Sequence, residues 1–164
     1  MSVGFRQDDQ ASVRPKEGDL LVRSGDETHA PLKPEDLPIA GGYTTAWAYD
    51  PVQKIVRNGN RLNQLLLLRF DASSFIAETR ERSASGVVAY TSICTHSGCD
   101  VDTWLDKEFH LFCSCHESKF DPLDGARVVD GPAPRPLPAL PLTLVDGVIV
   151  VAKPFTAPVG FEKG

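Results

Sequence analysis

All four cysteines of the chain fall in one short stretch, residues 94–116, and three of its four histidines fall there with them, two of them within two residues of a cysteine. The stretch opens with Cys94-Thr95-His96-Ser97-Gly98-Cys99 and closes with Cys113-Ser114-Cys115-His116. Each segment offers one thiol and one imidazole to a metal: Cys94 with His96, and Cys113 with His116. Each also keeps one further cysteine, Cys99 or Cys115. Whatever fold the chain adopts must hold these two loops face to face. Thiolate and imidazole in equal number suit a single zinc ion, or a 2Fe–2S cluster whose two irons are ligated differently. Structural zinc sites usually draw two sulfurs from one tight C-x(2–4)-C turn. Here the pairs are C-x-H and C-x-x-H, and a zinc site would leave two cysteines over. Two disulfides without metal would leave both histidines without a role.

The pattern C-T-H-x-G-C followed by C-x-C-H-x-S resembles the Rieske family, most nearly in its form in cytochrome bc complexes. The resemblance covers residues 86–141 well. It implies an all-β fold, an antiparallel β-sandwich base with an inserted small cluster-binding subdomain and one short helix. It implies that Cys94 and Cys113 bind the inner iron of a 2Fe–2S cluster, and that His96 and His116 bind the outer iron near the tip. It also implies a disulfide between Cys99 and Cys115 that clamps the two loops, closing about 16 residues for roughly 3 kcal/mol. Neutral imidazoles in place of two thiolates make such a cluster easier to reduce, and Rieske centres span roughly −150 to +300 mV.

Hydrogen bonds to the cluster sulfurs tune the potential within that span. Members of the bc type carry a Ser and a Tyr for this purpose. Ser118 stands at the Ser position, and Phe120 stands where the Tyr would be. The expected potential is therefore below that of a typical quinol-oxidising bc protein. Ser97 replaces the leucine usual at the tip, and Glu117 replaces the glycine usual after the second histidine. Both make the tip more polar, which weakens the inference to quinol oxidation and leaves electron transfer intact. Gly131-Pro132-Ala133-Pro134 resembles the family's proline loop, whose rigid residues shield the cluster at small entropic cost.

The rest of the chain fits one domain over residues 1–164, with a base at 1–92 and 135–164 and the cluster subdomain at 93–134. A hydrophobic fraction of 41% supplies an ordinary core. A net charge of −5 with no basic patch argues against nucleic acid. No run approaches the roughly 20 apolar residues of a membrane span. Met1-Ser2-Val3-Gly4-Phe5 lacks the basic and apolar regions of a signal peptide. A disulfide implies an oxidising compartment, so the expected location is periplasmic or otherwise exported, with any targeting or anchoring segment outside this sequence.

Along the chain, residues 1–42 read as an irregular arm containing one strand at 19–23 and one helical turn at 34–37. Alternating β-formers predict a strand over 43–49, and the apolar run 64–70 predicts a strand buried on both faces. Asp71, Ser73 and Ser74 are expected to cap a short helix through Phe75, Ile76 and Thr79. A strand over 86–92 leads into Cys94. A hairpin over 101–104 and 109–112, a turn over 120–125 and a strand over 126–130 follow. Asp146-Gly147 predicts a hairpin between 142–145 and 148–152, and the tail to Gly164 is expected to be an exposed arm. His29 and His110 read as solvent-facing residues, not as ligands.

The expected role is one-electron transfer, as the iron–sulfur subunit of a respiratory-type, ubiquinol–cytochrome c reductase-like oxidoreductase. Its partners would be a quinol-oxidising subunit as donor and a cytochrome c-like acceptor. An alternative is the Rieske small subunit of a periplasmic arsenite-oxidase-like enzyme, with a molybdenum subunit as donor. An oxygenase ferredoxin would lack the extra cysteines. A zinc-binding interaction module is the reading from a different class. No nucleophile or acid–base pair is evident, so the chain alone does not read as a complete enzyme.

Overall fold

The computed structural model describes residues 10–160. Seven strands form the base: β1 (Leu20–Arg23), β2 (Thr44–Asp50), β3 (Ile55–Val56), β4 (Leu65–Arg69), β5 (Val87–Thr91), β10 (Leu142–Val145) and β11 (Val148–Val151). Four more form a second sheet: β6 (Thr103–Leu105), β7 (His110–Cys113), β8 (Ser118–Asp121) and β9 (Arg127–Asp130). The base runs in the order β10-β11-β1-β2-β4-β5, with β3 paired to β2, and the second sheet is a plain meander. Both sheets are antiparallel throughout.

The base sheet curls back on itself. The Leu140 N–H donates to the Ala89 carbonyl at 2.9 Å, and the Thr91 N–H donates to Pro138 at 3.0 Å. The chain entering β10 thus bonds to β5 at the far edge. The expected sandwich is one sheet folded over its own core, which leaves few open strand edges.

The run Leu65-Leu66-Leu67-Leu68 is buried at every position. Successive side chains of a strand point to opposite faces. Leu65 and Leu67 join Val87, Ala89, Leu21, Ile149 and Val151 in the core of the base. Leu66 and Leu68 join Val88, Tyr90, Leu111, Phe120, Cys94 and Cys113 in a second core. β4 and β5 are therefore a wall shared by two cores, and this fixes the small sheet against the base. Each leucine so buried contributes roughly 1.5–3 kcal/mol of transfer energy.

Several expectations are met at close range. Residues Pro34–Asp36 form a single 3-10 turn. Asp146 and Gly147 both take positive φ, 52° and 80°, as a two-residue hairpin turn requires, and Val145 faces Val148 across it. The β6–β7 hairpin pairs Trp104 with Leu111.

Three expectations need correction. Asp71 caps the 3-10 turn Ala72–Ser74, not the helix, which starts after Ile76 as α1 (Ala77–Glu81). Phe120 lies inside β8, so the turn begins only at Pro122. The stretch 153–160 is not an exposed arm. Val159 is fully buried, and the Thr156 N–H donates to Ala139 at 2.9 Å while Thr156 Oγ1 accepts from the Ala139 N–H at 2.9 Å. Residues 1–9 and 161–164 of the two expected arms lie outside the described residues.

Arg57 gives the base a charged interior. It is fully buried, and Nε donates to Asp19 Oδ2 at 2.7 Å while Nη2 donates to Asp50 Oδ2 at 3.2 Å. Burial opposes the Asp50 carboxylate, but N–H donors from Gln53 and Val52, with Arg57 beside them, outweigh it and hold the carboxyl below its ordinary value.

Candidate metal centre

The two loops are built alike. In the first, the Gly98 N–H donates to the Cys94 carbonyl at 3.1 Å; in the second, the Glu117 N–H donates to Cys113 at 2.9 Å. Each loop is thus one turn opened by a cysteine and closed four residues on by a residue of positive φ. These are 75° at Gly98 and 63° at Glu117. Glycine takes that conformation freely, whereas Glu117 holds it at a cost on the order of 1 kcal/mol.

Cys99 and Cys115 are joined by a disulfide spanning 16 residues, as the resemblance implied. It fastens one loop tip to the other. The first loop is closed beneath by Cys94 N–H to the Cys99 carbonyl at 2.8 Å. The second is tied to β6 through Asp102: the Ser114 N–H donates to Asp102 Oδ1 at 3.1 Å and the Ser114 hydroxyl donates to Oδ2. Those donors, the hydroxyl foremost, hold the Asp102 carboxyl below its ordinary value.

The four candidate ligands fall into two pairs. Cys94 and Cys113 are buried, carry no disulfide, and lie close enough to interact through their thiols. Burial, with Cys94 alongside, pushes the Cys113 thiol up to about 11. His96 and His116 stand edge to face with ring centroids 4.6 Å apart, His116 at the exposed surface. Among the described residues no three His, Cys, Asp or Glu side chains gather as a single-ion site. The sulfur pair is buried and the imidazole pair lies nearer the surface, His96 half-buried and His116 exposed, an arrangement suited to two metals of different ligation.

A fit to such a group rests on what these atoms lack. Two buried thiols have no disulfide partner, and His96 Nδ1 is buried without a hydrogen-bond partner among the described residues. The Cys113 thiol has a single long contact, to the Asp100 carbonyl at 3.5 Å, and a buried ring nitrogen such as that of His96 is rarely left without a partner unless something else satisfies it. His116 Nδ1 lies 3.3 Å from Ser97 Oγ.

Ser118 is fully buried opposite Cys113 in the β7–β8 ladder. Its oxygen accepts from the Ala133 N–H at 3.1 Å, so its own proton remains available to donate. Phe120, two residues on, is on the same face and equally buried. The segment Gly131–Pro134 lies over this face. A side chain on Gly131 would come within 2.5 Å of Ser118 Cα, and Ala133 packs into the second core. Thr95 Oγ1 donates to the Arg135 carbonyl at 2.6 Å, tying this segment to the first loop.

The histidines read as solvent-facing sit elsewhere. His29 packs on Tyr49 with ring centroids 5.5 Å apart, and His110 Nδ1 lies 3.5 Å from Glu108. Sequence reasoning missed Asp102, Thr95 and Arg61 as supports of the loops. Only the proximity of Asp102 to the second loop in a hairpin could have hinted at the first.

Buried thiols beside imidazoles on two bridged loops suit an iron–sulfur electron-transfer protein with mixed ligation. Comparison with known proteins carries this further: the Rieske 2Fe–2S domain family matches residues 62–141, and the chain belongs to that family. It is 36% identical over 155 residues to the cytochrome bc1 complex Rieske iron–sulfur subunit of Streptomyces lividans, covering 90% of this chain and 89% of that one. The corresponding subunit of Streptomyces coelicolor is also 36% identical over 155 residues, and there the match spans 43% of the subunit. A Rieske subunit named after a respiratory nitrate reductase in Haloferax mediterranei is 44% identical over 91 residues, covering 55% of this chain and 40% of that one. The chain is thus a Rieske electron-transfer protein, and its cofactor is a Rieske 2Fe–2S cluster.

Proposed function

We propose that this chain is the electron-transferring subunit of a cytochrome bc1-like respiratory complex, taking one electron from a quinol-oxidising partner and passing it to a c-type cytochrome. We further propose that Cys94 and Cys113 hold the inner iron and that His96 and His116 hold the outer one. The observation that carries the reading is the paired arrangement of buried thiols and a surface imidazole on two loops joined by the Cys99–Cys115 disulfide. When bound, the cluster supplies a one-electron couple raised by its imidazole ligands.

The chain's own residues do the rest. The disulfide and the Asp102–Ser114 contacts hold the loops still, so little rearrangement accompanies a change of charge. Ala133, buried in the second core, excludes water from one side. The Ser118 hydroxyl, which accepts from the Ala133 N–H, would have its own proton free to donate to a sulfur of the bound cluster. His116 lies at the surface, where a partner can reach it and where its second ring nitrogen can hold or release a proton. No helix among the described residues is long and apolar enough to cross a membrane. Placement on the outer face of the membrane, through a partner or a further segment, goes with the disulfide.

The arsenite-oxidase-like alternative is not favoured, since the relatives described above are bc1 subunits and one named after a nitrate reductase. The direct test is complementation. Membranes from a strain lacking the chain should lose quinol-dependent cytochrome c reduction, and the intact chain should restore it while His116→Ala does not. Undiminished activity in the deletion strain would overturn the assignment to such a complex.

A further inference from the structure

Arg61 belongs to the base, on the 3-10 turn Arg61–Asn63, just ahead of the residues 62–141 matched by the family. Its guanidinium crosses to the first ligand loop. Nη2 donates to the Gly98 carbonyl and lies 3.6 Å from Asp100 Oδ1. Gly98 sits between His96 and Cys99. Its N–H serves the loop internally, while its carbonyl is taken by Arg61.

The turn that launches Arg61 is itself held firmly. Asn60 Oδ1 accepts from the Leu62 N–H at 2.9 Å, capping the turn. Asn63 is fully buried; its amide donates to the Val13 carbonyl at 2.9 Å and accepts from Arg14 at 2.6 Å. The Gly59 N–H donates to Ala11 at 2.9 Å, and a side chain on Gly59 would come within 3.0 Å of Ala11 and Ser12. The segment 11–14 thus clamps the turn from outside, and the guanidinium leaves from a fixed point.

We propose that Arg61 is a positioning residue that sets the reduction potential of the centre, pinning the Cys94–Cys99 loop to the base and holding a positive charge beside it. The inference rests on the reading of Cys94 and His96 as ligands. A nearby cation favours the state with one more negative charge, so Arg61 assists reduction and the Asp100 carboxylate opposes it. Both side chains are a little over half exposed, 54% and 57%, so the charge effect is modest and fades with salt.

The test uses the iron-loaded protein and the variants Arg61→Gln, Arg61→Lys and Asp100→Asn. Arg61→Gln should keep the Rieske absorption and paramagnetic spectrum. Its equilibrium for reduction should fall roughly two- to fivefold at low ionic strength, with the difference shrinking at high salt. Arg61→Lys should recover most of that loss, and Asp100→Asn should move the potential upward. Hydrogen exchange over residues 93–101 should be faster in Arg61→Gln than in wild type, with Arg61→Lys between them. A potential in Arg61→Gln equal to wild type at low salt, with the spectrum intact, overturns the proposal. Should Arg61→Gln fail to retain iron, Asp100→Asn decides: no rise in its potential overturns the proposal. The ligand reading fails separately, if His96→Ala keeps a Rieske spectrum.

Discussion

Phe120→Tyr adds a single hydroxyl to a side chain with no solvent exposure, on the face of β8 that also carries Ser118. Ser118 pairs with Cys113 and Phe120 with Leu111, and Phe120 shares one buried cluster with Cys94 and Cys113. A hydroxyl buried there without a partner would cost roughly 1–3 kcal/mol, so it takes any acceptor within reach. The sulfurs of the proposed centre gain negative charge on reduction and then accept more strongly. If the bond is stronger in the reduced state by the net value of an ordinary hydrogen bond, the difference is roughly 0.5–1.5 kcal/mol. For a one-electron couple, a tenfold change is about 1.4 kcal/mol or 59 mV, so the potential should rise by roughly 20–60 mV. Protein-film voltammetry on wild type and variant, beside a thermal melt, measures both consequences. An unchanged or lower potential with a depressed melting point would refute the reasoning, because the hydroxyl would then be an orphan facing no sulfur.

Replacing Cys99 and Cys115 together by serine removes a bridge over 16 residues, worth about 3 kcal/mol in the chain-entropy account. At roughly 2–4 °C per kcal/mol for a chain of this size, the melting midpoint should drop by about 6–12 °C, and visible absorbance should bleach earlier on heating. Arg57→Ala strands Asp19 and Asp50 and should cost about 3–5 kcal/mol in urea unfolding. Arg57→Met combined with Asp19→Leu and Asp50→Leu should recover much of that loss. The Asp102 carboxyl is held below its ordinary value of 3.8, chiefly by the Ser114 hydroxyl. A group depressed in the folded state stabilises above its unfolded value and loses that contribution as pH falls through the folded one. Acid should therefore loosen the second loop below about pH 4, and Asp102→Asn should flatten that part of the pH–stability curve.

The sequence was most informative where the chemistry is local. Cys94 to Cys99 and Cys113 to His116 mark two candidate ligand loops because spacing within a loop is a property of adjacent residues, and the Cys99–Cys115 disulfide does join them. Leu65–Leu68 announced burial on both faces, though not that its two faces line different cores. Strand β8 was missed because Lys119 and Asp121 look like surface turn residues, and only pairing with both β7 and β9 makes them a strand. Burial of Val159 depends on contacts with distant segments, so its stretch read as a loose tail. No local pattern announces the burial of Arg57, which is set by Asp19 and Asp50, contributed by separate parts of the base. Arg61 was illegible for the same reason, since its partner Gly98 is 37 positions away.

The account depends on Cys94 and Cys113 holding one iron and His96 and His116 another. Mössbauer spectroscopy of the iron-57-loaded protein, with iron and acid-labile sulfide assayed on the same sample, tests this most directly. Two irons and two sulfides per chain, with the irons in unequal sites, is the predicted result. One zinc per chain, or two equivalent irons, would contradict it.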